Sequence, residues 1–245
     1  MTGVSAEQQN GRARPTRRPY LVSFSGIDGA GKTTQIDALV AWLTEAGLRV
    51  RLVRFWDDVA VVGGLRAGMC HKIFKSEQGV GTPAKPVQRR DKNVRAWYMT
   101  AARLFLYLLD AFRLIYLVKT ASQKQSDVII FDRYLYDELA NLDSGNPIVR
   151  RYCSWLARLV PRPDAPFLLD ADPEAARSRK PEYPLDFLSS NRASYLSLAK
   201  SLGMTILAPR LPEDVTRMVL RRVPRSSILA DAARVRGWSP ARSHQ

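Results

Sequence analysis

The chain has 245 residues, 46% of them hydrophobic, and its two cysteines, Cys70 and Cys153, stand far apart. That is enough apolar material for a substantial core in one large domain or two small ones, and too few thiols for a disulfide framework or a cysteine zinc site. The net charge of +15 points to anionic partners.

Residues 1–19 carry four Arg and one Glu, lack hydrophobic periodicity, and read as a disordered basic arm. They contain no apolar signal core, and no later run approaches the ~18 apolar residues of a membrane span. The expected setting is therefore cytoplasmic, away from membranes. Tyr20-Leu21-Val22-Ser23-Phe24 reads as a short buried strand. It runs directly into Gly26-Ile27-Asp28-Gly29-Ala30-Gly31-Lys32-Thr33-Thr34, which contains the G-x-x-x-x-G-K-T phosphate-binding pattern. Ile36, Leu39, Val40 and Leu43 then recur at helical spacing. Strand, glycine-rich turn and helix N-terminus thus follow in the order that lets consecutive backbone N–H groups converge on a triphosphate. In such a loop Lys32 reaches the β- and γ-phosphates and the Thr33 hydroxyl ligates Mg²⁺, so ATP and Mg²⁺ are the expected cofactors.

Leu48 to Phe55 alternates like a second strand, with Trp56-Asp57-Asp58 at its C-terminal end. Val80-Gly81-Thr82-Pro83-Ala84-Lys85-Pro86 is a loop signal, and an apolar-rich helical run extends from Val94 to Lys119. Asp127-Val128-Ile129-Ile130-Phe131 has the continuous apolar character of a parallel-sheet strand and delivers Asp132-Arg133-Tyr134. Asp132 is either a Mg²⁺-orienting acid or the cap of the next helix. Arg133 is either a fixed phosphate-binding fork or a surface ion-pair partner. One or two helices follow, then a strand at Phe167–Asp170, helices over 173–179 and 184–202, a last strand at Met204–Leu207 and a helix near 212–222. The alternation predicts an α/β domain: a doubly wound, mostly parallel five-stranded sheet flanked by helices, spanning 20–222. Residues 223–245 read as a basic tail. The segment 221–245 carries six Arg and one Asp, so with the N-terminal arm more than half of the excess charge lies in the two ends. Nucleic acid is therefore not the favoured partner.

Phe24 to Gln35 resembles the P-loop of thymidylate kinases, and Ile130-Phe131-Asp132-Arg133-Tyr134 is similar to that family's D-R-Y/H segment. Pro161-Arg162-Pro163-Asp164 and Leu169-Asp170-Ala171-Asp172-Pro173-Glu174 resemble the stretch leading into its lid. The resemblance implies a P-loop NTPase fold and phosphoryl transfer from ATP to a nucleoside monophosphate, with dTMP as the nearest model. It implies that Asp28 faces the acceptor's sugar, that Asp132 orients metal and acceptor, and that Arg133 holds the acceptor phosphate. It also implies that Arg177, Arg179 and Lys180 form a cationic lid near 175–185, that Arg103 lies beside the base, and that the protein is a homodimer. Where the family carries a phosphate-binding arginine after the second strand, this chain has Arg54-Phe55-Trp56-Asp57-Asp58, and its base-stacking aromatic falls near Met99, with Trp97 and Tyr98 adjacent. An acid pair at that point repels a monophosphate. The rivals are a P-loop kinase for a nucleoside or another small acceptor and, outside enzymes, a nucleic-acid- or protein-binding module that only senses nucleotide.

Overall fold

A computed structural model of the chain describes residues 18–61, 97–123, 126–142 and 146–236. The N-terminal arm up to residue 17, the loop signal at 80–86 and Cys70 lie outside these residues, as do the side chains around Met99. Five strands form one sheet in the order β2-β3-β1-β4-β5, all parallel. They are β1 (Tyr20–Ser25), β2 (Val50–Arg54), β3 (Val128–Asp132), β4 (Ala165–Leu169) and β5 (Thr205–Leu207). The helices are α1 (Lys32–Glu45), α2 (Trp97–Gln123), α3 (Leu135–Leu139), α4 (Pro147–Leu159), α5 (Pro173–Arg179), α6 (Leu185–Leu202), α7 (Pro212–Arg222) and α8 (Arg225–Arg236). This is the α/β, P-loop architecture expected from the alternation of strands and helices.

The strands are apolar on both sides because helices cover both faces of the sheet. Leu21, Ile129, Phe131 and Leu168 point to the face packed by α2, α4 and α6. Val22, Phe24, Ile130, Phe167 and Leu169 point to the other, where α1, α7 and α8 pack. There Phe24 and Phe167 stack across β1 and β4 with centroids 5.3 Å apart. Burial of each such side chain contributes roughly 1.5–3 kcal/mol, so the central strands are the most strongly held part of the fold.

The strand order has a functional consequence. The chain leaves β1 for β2 and β3 on one side and crosses to β4 and β5 on the other. A crevice therefore opens at the carboxyl ends of β1 and β3, where open α/β sheets bind ligands. The loop after β1 and the Asp132-Arg133 step after β3 both open into it, since Phe24 is in register with Asp132.

Two segments differ from the sequence-based expectation. The second strand begins only at Val50, because Gly47 and Leu48 close the α1 C-terminus through bonds to Thr44 and Leu43 carbonyls. It ends at Arg54, where Phe55–Val59 winds into a π-helical turn. Residues 225–236, read as part of a basic tail, form α8. Ile228 and Ala232, four apart, bury into the cluster around α1, and the Arg225 guanidinium lies 4.3 Å over the Trp42 ring. Arg225, Arg234 and Arg236 at the ends of this segment give it the look of a basic tail in sequence.

Candidate active site

The loop from Gly26 to Gly31 is packed on one side and open on the other. Gly29 has φ +83°, and a Cβ there would sit 2.3 Å from the Ala176 carbonyl oxygen of α5. Only glycine allows α5 to approach so closely. Gly31 also lies in the left-handed region, but a Cβ there would meet nothing within 4 Å. It ends the loop as the N-cap of α1 and provides no side-chain cap, so the first N–H groups of that helix stay available. Thr33 and Thr34 are exposed in the first turn, which contains no acidic residue to compete for an anion.

Lys32 is buried, and its ammonium donates to the carbonyl oxygens of Gly26 at 2.8 Å and Ile27 at 3.0 Å. Burial, helped by repulsion from Arg133, lowers its pKa to about 7, with Asp28, Asp137 and Asp132 opposing the shift. This is an ammonium short of negative charge.

Across the crevice, Arg133 is the one non-glycine with positive φ (66°) among the described residues. Its N–H donates to the Phe24 carbonyl at 3.0 Å, which ties the strained turn to β1. The turn aims the guanidinium back over the P-loop, where one nitrogen pairs with the Asp28 carboxylate. The other terminal nitrogen lies 3.6 Å from Asp137. These carboxylates keep Arg133 firmly protonated despite its burial. Lys180, just after α5, reaches Asp28 at 3.9 Å and Glu182 at 3.2 Å. The fold thus assembles Lys32, Asp28, Arg133 and Lys180 around one loop, with Asp132 close enough to act on the charge of both Lys32 and Arg133.

No protein-family model matches the chain. A thymidylate kinase of Bifidobacterium longum is 29% identical over 190 residues, covering 73% of this chain and 83% of the relative. A probable thymidylate kinase of Methanosphaera stadtmanae is 27% identical over 207 residues, covering 82% and 95%. The solved structure of the thymidylate kinase from Ehrlichia chaffeensis superposes with a TM-score of 0.52 at 21% identity, over 84% of this chain and 98% of that one. The chain is thus similar in sequence to thymidylate kinases. Its class is that of a nucleoside monophosphate kinase-like phosphotransferase, on the P-loop fold that the solved structure shares.

The remaining expected site residues are less closely drawn together. Arg179 is exposed, and its Nε donates to the Ala175 carbonyl of its own helix at 3.0 Å. Arg177 on α5 and Arg103 on α2 are half-buried. The acid pair after β2 is exposed, and one of its two carboxylates also has a local backbone partner. Asp58 accepts the Arg54 N–H at 2.8 Å and so closes the π-helical turn, while Trp56 and Asp57 are exposed. Three residues to which the sequence reading gave no role in the site surround Arg133: Asp137, Ser25 and Tyr195. The Ser25 hydroxyl donates to Asp137 at 2.6 Å, and the Tyr195 hydroxyl donates to Asp137 at 2.8 Å. The one local signal was the four-residue spacing of Arg133 and Asp137.

Proposed function

We propose that the protein transfers the γ-phosphoryl group of ATP, with Mg²⁺, to a nucleoside monophosphate, and that dTMP is the nearest acceptor. The observation that supports this most is Arg133, set over the P-loop lip by a left-handed backbone and paired with Asp28. A module that only sensed nucleotide has no use for a second phosphate-binding cation opposite the first.

The residues present suit the cofactors. The open side of Gly31, the uncapped α1 N-terminus and a buried ammonium bonded only to loop carbonyls match a triphosphate. Among the described residues no group of three or more His, Cys, Asp or Glu is placed to hold a metal alone. Thr33 and Asp132 suit a Mg²⁺ ion shared with phosphates and water. When bound, ATP with Mg²⁺ provides the transferable phosphoryl group and spreads charge over its oxygens. Lys32 exchanges its loop carbonyls for phosphate oxygens and orients them. Arg133 holds the acceptor phosphate, and Asp28 holds both Arg133 and Lys180 in place. Lys180 and Arg177 bring positive charge from the α5 side, which stabilises charge developing in an in-line transfer. The acting unit is residues 20–222, with α5 and the turn after it as the lid, in a cytoplasmic setting.

The decisive assay measures ADP formation across a panel of nucleosides and monophosphates. Transfer to dTMP above the others supports the reading; transfer only to unphosphorylated nucleosides favours the rival kinase, and no transfer to any acceptor sinks both.

Lys32 makes a pH prediction. Its pKa of about 7 lies below the ordinary 10.5, so between these values the unfolded chain holds a proton that the folded chain lacks. This group therefore favours folding increasingly as pH rises through that window. Phosphate charge reverses the shift, so ATP binding at pH 8 takes up close to one proton, and affinity falls by up to about tenfold per unit above pH 7. Calorimetry in buffers of different ionisation enthalpy measures the uptake directly.

We also propose a homodimer. Phe105, Phe112 and Tyr116 on α2 and Ile148, Trp155 and Leu159 on α4 are exposed, each set spaced seven and four residues apart. The Tyr152 hydroxyl donates to the Leu104 carbonyl at 2.6 Å, which ties the two helices together. Sedimentation equilibrium is expected to give twice the mass of one chain, and Phe112→Glu a single chain's mass.

A further inference from the structure

Asp137 lies one helical turn beyond Arg133 and is 1% exposed. Its two oxygens have different partners. Oδ2 accepts the Ser25 hydroxyl at 2.6 Å and the Tyr134 N–H at 2.9 Å, which caps α3. Oδ1 accepts the Tyr195 hydroxyl at 2.8 Å and faces the Arg133 guanidinium at 3.6 Å. A helix cap needs only one of these oxygens. The second is braced by a buried tyrosine from α6, 58 residues away, and lies beside the only non-glycine left-handed residue among those described.

We propose that Asp137 is a positioning residue for Arg133. Through Oδ1 it fixes the guanidinium between the core and Asp28, so that the fork meets an acceptor phosphate without first being ordered. Tyr195 sets the direction of Oδ1, and Ser25 and Tyr134 hold Oδ2. Cooperation of this kind raises affinity by removing an ordering cost, and its loss falls on the acceptor rather than on ATP. The proposal rests on the kinase reading for its kinetic consequence but not for its geometric one.

Asp137→Asn keeps the shape of the side chain and removes its charge. The KM for dTMP is expected to rise about tenfold or more, the KM for ATP to stay within about threefold, and kcat to fall less than the acceptor affinity. The slow-rotating guanidinium resonances of Arg133, assigned in ¹⁵N NMR spectra by their loss in Arg133→Lys, are expected to broaden or average. Tyr195→Phe, which removes only a hydroxyl, is expected to show the same pattern in smaller measure; if Asp137→Asn does not fold, it decides the matter by the same readouts. Should the wild type transfer phosphate to no monophosphate, the functional reading falls, while the Arg133 resonances still judge the positioning. Unchanged Arg133 resonances and an unchanged acceptor KM in both variants, with only Tm lowered, would reduce Asp137 to a helix cap and overturn the proposal.

Discussion

Lys32→Ala is expected to cut phosphoryl transfer by roughly a hundredfold to a thousandfold, the usual loss when one preorganised donor to a reacting phosphate is removed. Stability is expected to change little, or to rise. The ammonium is buried, and burial costs it enough to lower its pKa to about 7. Its two hydrogen bonds, to Gly26 and Ile27 carbonyls at 2.8 and 3.0 Å, only partly offset that cost. Removing the side chain thus removes a group that the fold tolerates for the sake of its ligand. A transfer assay beside a thermal melt separates the two effects. A fully active Lys32→Ala would remove the phosphate assignment, and a large fall in Tm would show that the lysine serves the fold.

Arg133 is expected to behave in the opposite way, because it serves both the site and the fold. Arg133→Ala leaves Asp28 and the buried Asp137 facing each other without the cation between them. Breaking such a network costs about 3 kcal/mol. The alanine also keeps the left-handed backbone at φ 66°, which disfavours any residue with a Cβ by about 1 kcal/mol. Arg133→Gly loses the same charge but relieves the backbone, so it is expected to be more stable than Arg133→Ala by that amount, as read by urea denaturation. This reverses the usual ranking of glycine and alanine. Both variants are expected to lose acceptor affinity by ~1.5–3 kcal/mol, about tenfold to a hundredfold. Equal stability of the two would mean that the turn relaxes when the guanidinium is gone, and that the ion pairs, not the strand, impose the strain.

What the chain states by itself is local. The spacing of Gly26, Gly31, Lys32 and Thr33 between an apolar strand and a helical stripe marks the P-loop pattern, because turn chemistry and periodicity are properties of neighbouring residues. The five strands follow from short apolar runs of the parallel type, and Asp132-Arg133 follows from its place at the end of one of them. The partners of these residues are not local. Asp137 meets Ser25 and Tyr195 at separations of 112 and 58 residues, and only the order β2-β3-β1-β4-β5 brings β1, α3 and α6 together. Lys180 rather than Arg179 approaches Asp28 because α5 ends at Arg179 and the next residue leaves the helix. Asp57 and Asp58 look alike in sequence, but a five-residue turn uses one carboxylate and leaves the other in water. Each outcome depends on which surfaces pack after the helices have formed, and a buried charge accepts whatever donors that packing supplies. Sequence therefore determined the glycine-rich loop and the place of Arg133, while tertiary packing decided which carboxylates surround its guanidinium.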